Sequence, residues 1–461
     1  MPAHASRPFP ELRPQVAAIA ARGDPEYDQR RAEVIWNRRL ANSRAPAAII
    51  RCTSPEQIIA CLAAARRDGL QVSLRGSGHS YIASPLQNNV LLLDLGGINQ
   101  VTLDLPNQSV IAGPGVRGGE LLRVLAHHGL AFPVGHCDDV ALGGYLLAGG
   151  LGWNSGAWGP ACNLIEAVDL ILADGSMVRA SEQQHPDLFW AARGSGSGFF
   201  AVVTAYHLRL QPMPLAAWVW NGTFCASAAE QLAPWLDRAI ASANSGVELA
   251  CQIGPNPSTG QATITVRAIG IGDDYATARA EISDFETPPE DARMIDPPES
   301  RPVGFADLPA QSQMPSGKRV AADHCWSDHP LGVIMLALRD VATIPDAPSS
   351  VNLVVQGAHG RIPCMPDAQN TALSVGGGVS AGIYAMWDHA EDDARHCDWV
   401  RQVDRILAPF SSGRYVGEAD LCADPGRPAS CFSPPAWNRL ARLRARYDPG
   451  GLFYGFPPSE G

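Results

Sequence analysis

An α+β fold in two domains is what this sequence predicts, and three observations carry the prediction. A chain of 461 residues is too long for one small core and points to two domains. Up to Pro212, and again over 413–461, short strand-like and helix-like segments alternate between glycine-rich turns. From Met213 to about Pro409 the glycine punctuation thins, and polar or proline-rich loops such as Glu286–Pro302 and Pro345–Ser350 appear. The expected division is therefore 1–212 (core about 43–212), a second domain over 213–412, and a segment 413–461 that returns to the first.

Composition narrows the function classes. With 46% hydrophobic and 18% charged residues there is enough apolar material for sizeable cores, and no apolar run is long enough to span a bilayer. A soluble globular protein is expected, with no membrane partner. The net charge of -11, with no basic tract, argues against nucleic acid. The N-terminus lacks the apolar centre of a signal peptide, so a cytoplasmic address is expected and the 11 cysteines read mostly as free thiols. His389, His396 and Cys397 lie close in sequence, but their spacing fits no standard zinc site. A solvated helix face, with no metal, is the expectation there.

The elements follow in order. A solvated helical lead runs to about Asn42. Ser54-Pro55-Glu56-Gln57 opens a helix with a hydroxyl cap and a first-turn proline, and Gly69 closes it. Gln71–Leu74 is a strand feeding a glycine-rich turn; Leu91–Leu95 and Ser109–Ala112 are further strands, and Gly119–His128 is a helix ended by Gly129. Glu166–Ala173, the Asp174-Gly175 turn and Met177–Ala180 form a hairpin. After the glycine loop Gly194–Gly198, a strand Phe200–Leu210 ends at Pro212. Near the C-terminus a helix Ala436–Tyr447 is halted by Asp448-Pro449-Gly450-Gly451.

The turn Arg75-Gly76-Ser77-Gly78-His79-Ser80 follows a strand, as a dinucleotide loop does. Yet His79-Ser80-Tyr81 opens no amphipathic helix and no third glycine falls in place, so a nicotinamide-binding Rossmann unit is not expected. Without a helix the loop can still offer backbone N–H groups to a pyrophosphate. Taken singly, His79 reads as a satisfied histidine, and Cys137, in Gly135-His136-Cys137-Asp138-Asp139-Val140, as a small buried hydrophobe.

In combination these residues resemble the berberine bridge enzyme-like oxidases of the vanillyl-alcohol oxidase and p-cresol methylhydroxylase flavoprotein superfamily. Arg75-Gly-Ser-Gly-His79-Ser80 is similar to the family's Arg-Gly-Gly-Gly-His-Ser loop, and Gly135-His-Cys137 with Val140 and Gly143-Gly144 to its cysteine segment. Gly149-Gly150-Leu-Gly152-Trp153, Ala173-Asp174-Gly175, Pro186-Asp187-Leu188-Phe189-Trp190 and Arg193-Gly194-Ser-Gly196-Ser-Gly198-Phe199 match in order. The resemblance implies a two-domain FAD-binding PCMH-type fold with an inserted antiparallel-sheet substrate domain. It implies FAD bound covalently by His79 at the 8α-methyl and by Cys137 at C6. Implied cofactor contacts are Arg75, Gly76, Ser77, Gly78, Ser80, Tyr81, Gly135, Val140, Gly143, Gly144, Gly149, Gly150, Gly152, Trp153, Asn163 and Tyr454. Asp138-Asp139 stands where the family carries Pro-Thr.

The chemistry so implied is oxidation of a small organic alcohol, phenolic or secondary metabolite. A C–H bond gives hydride to flavin N5, a base takes the companion proton, and dioxygen reoxidises the ring to yield hydrogen peroxide. Val140 occupies the family's oxygen gate, where a small residue admits dioxygen. Of the family's Tyr-x-Asn-Tyr, only Tyr415 remains, in Tyr415-Val-Gly417-Glu418. Tyr415 is the expected base or else a packed hydroxyl; Glu418 is the alternative base or else solvated. Trp218, Trp220, Trp326, Tyr384 and Trp387 read as core or as pocket lining. A sugar oxidase of the same family, or a flavin-holding protein with little turnover, are the rival readings.

Overall fold

The computed structural model describes residues 8–256, 258–312, 317–341 and 349–456. In chain order its strands are β1 Ala18–Ala21, β2 Ala48–Arg51, β3 Gln71–Arg75, β4 Val90–Asp94, β5 Val101–Asp104, β6 Ser109–Ala112, β7 Leu130–Ala131, β8 Ile165–Ile171, β9 Met177–Ser181, β10 Val202–Arg209, β11 Gln211–Pro212, β12 Ala216–Cys225, β13 Val247–Pro255, β14 Ala262–Gly272, β15 Glu299–Gly304, β16 Arg319–Ser327, β17 Ser350–Gln356 and β18 Val379–Trp387. They build a four-stranded sheet β1-β2-β4-β3, a five-stranded sheet β5-β6-β10-β8-β9, a two-stranded pair β11-β7 and a seven-stranded sheet β15-β12-β14-β13-β17-β18-β16.

The first sheet is mixed. β2, β4 and β3 run parallel, because the helix Pro55–Asp68 crosses from β2 to β3, while β1 is added antiparallel. Gly69 closes that helix at φ +63°, as its position predicts, but the Ser54 hydroxyl makes no capping bond. The hairpin β8-β9 and the strand β10 form as expected, and β5 joins them unpredicted. The helical lead is corrected: it contains β1, whose Ala20 and Ala21 are buried against β2. Alanine-rich sequence reads as helix, and only pairing with Ala48–Arg51 makes it a strand.

The seven-stranded sheet is antiparallel throughout, and its residues alternate strictly between two faces. Leu249, Cys251, Ile253, Ile264, Val266, Leu353 and Ile383 point to one side and form a core with the helices Ala229–Ser242, Leu331–Leu338 and Asp393–Leu407. Burying a leucine or isoleucine of this kind contributes roughly 1.5–3 kcal/mol. The other face carries Glu248, Arg267, Gln356, Ser380 and Tyr384, and register puts Glu248 opposite Gln356 and Ser350 opposite Tyr384. Part of the Glu286–Pro302 loop is in fact β15, an edge strand that tolerates Pro302; most of Pro345–Ser350 lies outside the described residues.

The terminal segment closes the first core. The helix Pro434–Tyr447 buries Leu440 and Leu443 there, and Phe453 bridges to Val72 of β3. The solvated helix face expected around His396 is also corrected: the imidazole is buried and stacks on Trp387 at 4.6 Å. Only His389 of that group is exposed.

Candidate active site

The glycine loop leaves β3 at Arg75 and is shaped from within. The Arg75 guanidinium donates to the carbonyls of Val34, Gly76 and Ser77 and pairs with Asp94 at 2.7 Å. Its donors thus shape the loop, and the residue also lines the cleft beside it. Gly78 sits at φ +82°, and a Cβ there would come within 2.3 Å of the Val34 carbonyl, so no other residue fits. The Ser77 hydroxyl accepts from the Ala141 N–H, tying this loop to the second glycine segment. The Ser80 hydroxyl turns to Ser84 and closes its own turn.

Beside the first loop, against the β1 and β2 region, lies a cleft of about 350 Å³ lined among others by Arg75, Gly76, Ser77, Gly96, Gly115 and Arg117. Arg117 has no ion-pair partner among the described residues, so its charge is free for an anion. Backbone is close-packed behind the cleft: a Cβ on Gly143 would meet the Pro114 carbonyl at 3.0 Å, whereas one on Gly144 would find open space. The cleft also holds acids, but Glu33 is paired with Arg30 and Asp94 with Arg51 and Arg75, so the glycine backbone and the unpaired Arg117 suit the pyrophosphate of FAD.

Gly135-His136-Cys137 forms the far end. His79 Nε2 lies 2.8 Å from Asp139 Oδ1. Cys137 is half-buried, and burial together with the charges of Asp139 and Glu418 pushes its thiol up to about 11. Both proposed anchors therefore gather around Asp139. Asp138 turns away to Arg123, at 2.7 Å. Val140 is half-buried with its side chain against Gly135.

Gly149 and Gly150 take φ +112° and +76°, and the Gly150 N–H donates to the Tyr415 hydroxyl at 3.3 Å. That phenol is buried, and desolvation holds its pKa well above the ordinary tyrosine value. A buried phenol that accepts from a backbone N–H fits the packed hydroxyl of the two readings better than the base. Its segment is held by a ring of two guanidinium and two carboxylate groups: Arg414 and Arg427 each bond both Asp323 and Asp404. Arg414 thus points away from the Tyr415 phenol. His324 completes the clamp; burial holds it neutral, pushed down to about 3. Its Nδ1 accepts from the Tyr415 N–H, which assigns the proton to Nε2, 2.9 Å from the Ser380 hydroxyl.

Glu418, expected in the bland reading to be solvated, is instead partly buried and accepts a 2.7 Å bond from the Tyr384 hydroxyl. Desolvation raises its pKa, while the Tyr384 bond and the charge of His136 draw it back. Tyr81 packs on Tyr384 with ring centroids 5.2 Å apart and on Trp36 at 5.6 Å. The charges of Glu418 and Cys137 both reach it and, after burial, raise its pKa. Glu418, Tyr384, Tyr81 and Cys137 accordingly form one cluster.

Beside it lies a second group. His136 Nε2 is 2.8 Å from Glu248 Oε1, and Glu248 Oε2 accepts from Gln356 at 2.6 Å, which also reaches the Gly152 carbonyl. Burial works against the imidazolium, but Glu248 overcomes it and raises the His136 pKa. Trp153 packs edge-on against that ring at 4.6 Å. Asn163 and Tyr454 stand outside both groups: the Asn163 amide faces the Cys364 carbonyl, and Tyr454 is 42% exposed.

Sequence reasoning missed Glu248, Gln356 and the role of His136. A lone acid in the apolar run Val247–Ile253 is the signal that marked Glu248. Of the aromatic residues weighed as pocket lining, Tyr384 alone enters the cluster; Trp220 and Trp387 are core, Trp218 lies by Ser300, and Trp326 packs against Tyr415 and His324. No helix among the described residues is long and apolar enough to cross a membrane.

Comparison with known proteins gives this geometry its setting. Residues 46–181 match the FAD binding domain family. The chain is 26% identical to the FAD-linked oxidoreductase nodO of Hypoxylon pulicicidum, over 94% of this chain and 95% of that protein. It is 37% identical to a xylooligosaccharide oxidase of Thermothelomyces thermophilus, over 37% of this chain and 34% of that one. Among solved structures, berberine bridge enzyme from Eschscholzia californica superimposes with a TM-score of 0.81 at 21% identity, covering 97% of this chain and 98% of that chain, which shows the shared fold. The chain is thus an FAD-linked oxidoreductase that carries an FAD binding domain over 46–181, is similar along nearly its whole length to such enzymes, and shares its two-part mixed fold with berberine bridge enzyme.

Proposed function

We propose that this chain oxidises a small organic alcohol, phenolic or secondary metabolite, holds FAD by covalent bonds from His79 and Cys137, and passes the electrons to dioxygen as hydrogen peroxide. The observation that carries this reading is the meeting of Glu418, Tyr384 and Tyr81 beside Cys137. In this reading 1–212 and 413–461 bind the cofactor, 213–412 supplies the substrate face, and the site lies where they meet.

When bound, FAD supplies the hydride acceptor and the centre that reduces dioxygen. The chain's own residues do the rest. The Glu418 carboxylate, raised by burial toward the working range of a general base, takes the substrate proton. The Tyr384 hydroxyl orients it by donating to it, and the His136 charge, fixed by Glu248, keeps it ionised. Tyr81 and Tyr384 offer aromatic faces to a planar substrate. In this reading Val140, packed against Gly135, is the small residue past which dioxygen approaches, and the protein acts in the cytoplasm.

An oligosaccharide substrate is the second reading, favoured by the polar sheet face of Gln252, Asn352, Gln356 and Ser380 and by the xylooligosaccharide oxidase relative. A substrate screen coupled to peroxide detection, run over aromatic alcohols and oligosaccharides, separates the two; no peroxide with any substrate overturns both. For the tether, acid-precipitated protein is expected to stay yellow in the wild type and in His79→Ala or Cys137→Ala, and to release FAD in the double variant. Free flavin from denatured wild type overturns the covalent reading.

A further inference from the structure

Asp138-Asp139 is where this chain departs from the segment it otherwise resembles, and the structure gives the two aspartates different work. Asp138 is spent on Arg123, and its carbonyl accepts from the Gly119 N–H at the start of the helix Gly118–Ala126. Asp139 is turned the other way, with Oδ1 2.8 Å from Nε2 of His79 and its side chain about half exposed to solvent. The carbonyl of His79 accepts from the Trp36 indole at 3.1 Å, so the backbone that carries the imidazole is also held.

We propose that Asp139 is the positioning residue for flavin attachment: by accepting from Nε2–H it fixes the His79 tautomer with the lone pair on Nδ1, and it takes the Nε2 proton as Nδ1 forms its bond. The inference rests on the covalent reading above. An imidazole whose Nε2–H is held by a carboxylate is both oriented and more basic at its other nitrogen. In the balanced step the 8-methyl group of FAD would lose a proton to water, Nδ1 would bond to that carbon, and the Nε2 proton would pass to Asp139 and on to water. The electron pair of the broken C–H bond stays on the ring system, which is left reduced by two electrons. Dioxygen then removes those electrons with two protons, giving hydrogen peroxide and the oxidised, attached cofactor.

The test starts from full-length apoprotein mixed with FAD in air, and follows the mass of the peptides bearing His79 and Cys137 with time. Non-covalent FAD binding is read separately by quenching of flavin fluorescence. The wild type is expected to gain the mass of FAD on the His79 peptide. Asp139→Asn and Asp139→Ala should slow that gain about 10²-fold, the scale of losing a proton acceptor, with FAD still bound. Raising the pH should restore much of the rate, since hydroxide and water then accept the proton, and Asp139→Glu should retain most of it. Equal rates in wild type and Asp139→Asn overturn the inference, as does loss of FAD binding in Asp139→Asn, which would make Asp139 a structural residue. A wild type that gains mass at Cys137 but never at His79 overturns the histidine bond itself, and the inference falls with it.

Discussion

The two faces of the seven-stranded sheet are built from the same strands and do opposite things. On one, Leu249, Ile264, Val266, Leu353 and Ile383 meet three helices in a dry core. On the other, one residue along, Glu248 and Gln356 meet the glycine segments and Tyr384 meets Glu418 through hydrogen bonds, while Ser380 bonds His324, which accepts from the Tyr415 N–H. The comparison teaches that a polar cluster keeps its geometry when each of its members is flanked in sequence by residues locked into close packing. Substitutions on the first face should therefore cost stability, and those on the second should cost turnover.

The largest effect is expected on the polar side. Glu418→Gln should slow reduction of the bound flavin by substrate about 10³-fold, the range for losing a general base, with the thermal midpoint nearly unchanged. A near-wild-type rate in single-turnover measurements breaks the assignment. Tyr415→Phe is its control: the rate should change only a few-fold, while the Gly150 N–H loses its acceptor at a cost of about 1 kcal/mol of stability.

Next is the apolar side. Leu353→Ala removes a fully buried side chain and should lower unfolding stability by about 3 kcal/mol. Turnover per folded molecule should stay close to wild type. Equal damage to both quantities would show that the faces are not separable.

A smaller shift sharpens the charge argument. Because burial raises the pKa of Glu418, the acid limb of the rate against pH should lie above the usual carboxylate range, with activity gained as pH rises through it. The His136 cation lowers that pKa, so His136→Gln should move the limb to higher pH by roughly one unit. The stability sign is opposite for His136 itself: its folded pKa is raised, so its contribution is complete below the ordinary histidine value and fades as pH rises through the folded one. A limb that stays in place uncouples the two groups. The smallest effect is set at Val140, where Val140→Leu should slow reoxidation by dioxygen about 10-fold and leave reduction within a few-fold. Stopped-flow reoxidation as fast as wild type would make Val140 a packing residue.

Much of the cofactor half was legible because its signals are local. Gly69 and Gly78 announce positive φ at a helix end and a turn, and the Asp174-Gly175 hairpin and the Pro55 helix start depend on neighbours in sequence. The order of the glycine segments carried the resemblance to the flavoprotein family. The site itself was harder to read. Arg75 and Ser80 sit inside the matching motif, yet their side chains turn back into the protein. Glu418 looked like an exposed acid, and its burial depends on Tyr384, which arrives from a distant strand.

By itself the sequence determined the α+β class, the glycine loops and the two candidate anchors, since backbone dihedrals and short turns are dictated within a few residues. Tertiary structure decided that Glu418 meets Tyr384, which aspartate meets His79, and that the Tyr415 hydroxyl is buried against Gly150. Those outcomes depend on how loops pack on strands well separated in sequence, as between Glu418 and Tyr384 or His136 and Glu248. Burial then sets the charge each group holds, and burial is a property of the assembled core rather than of any stretch of chain.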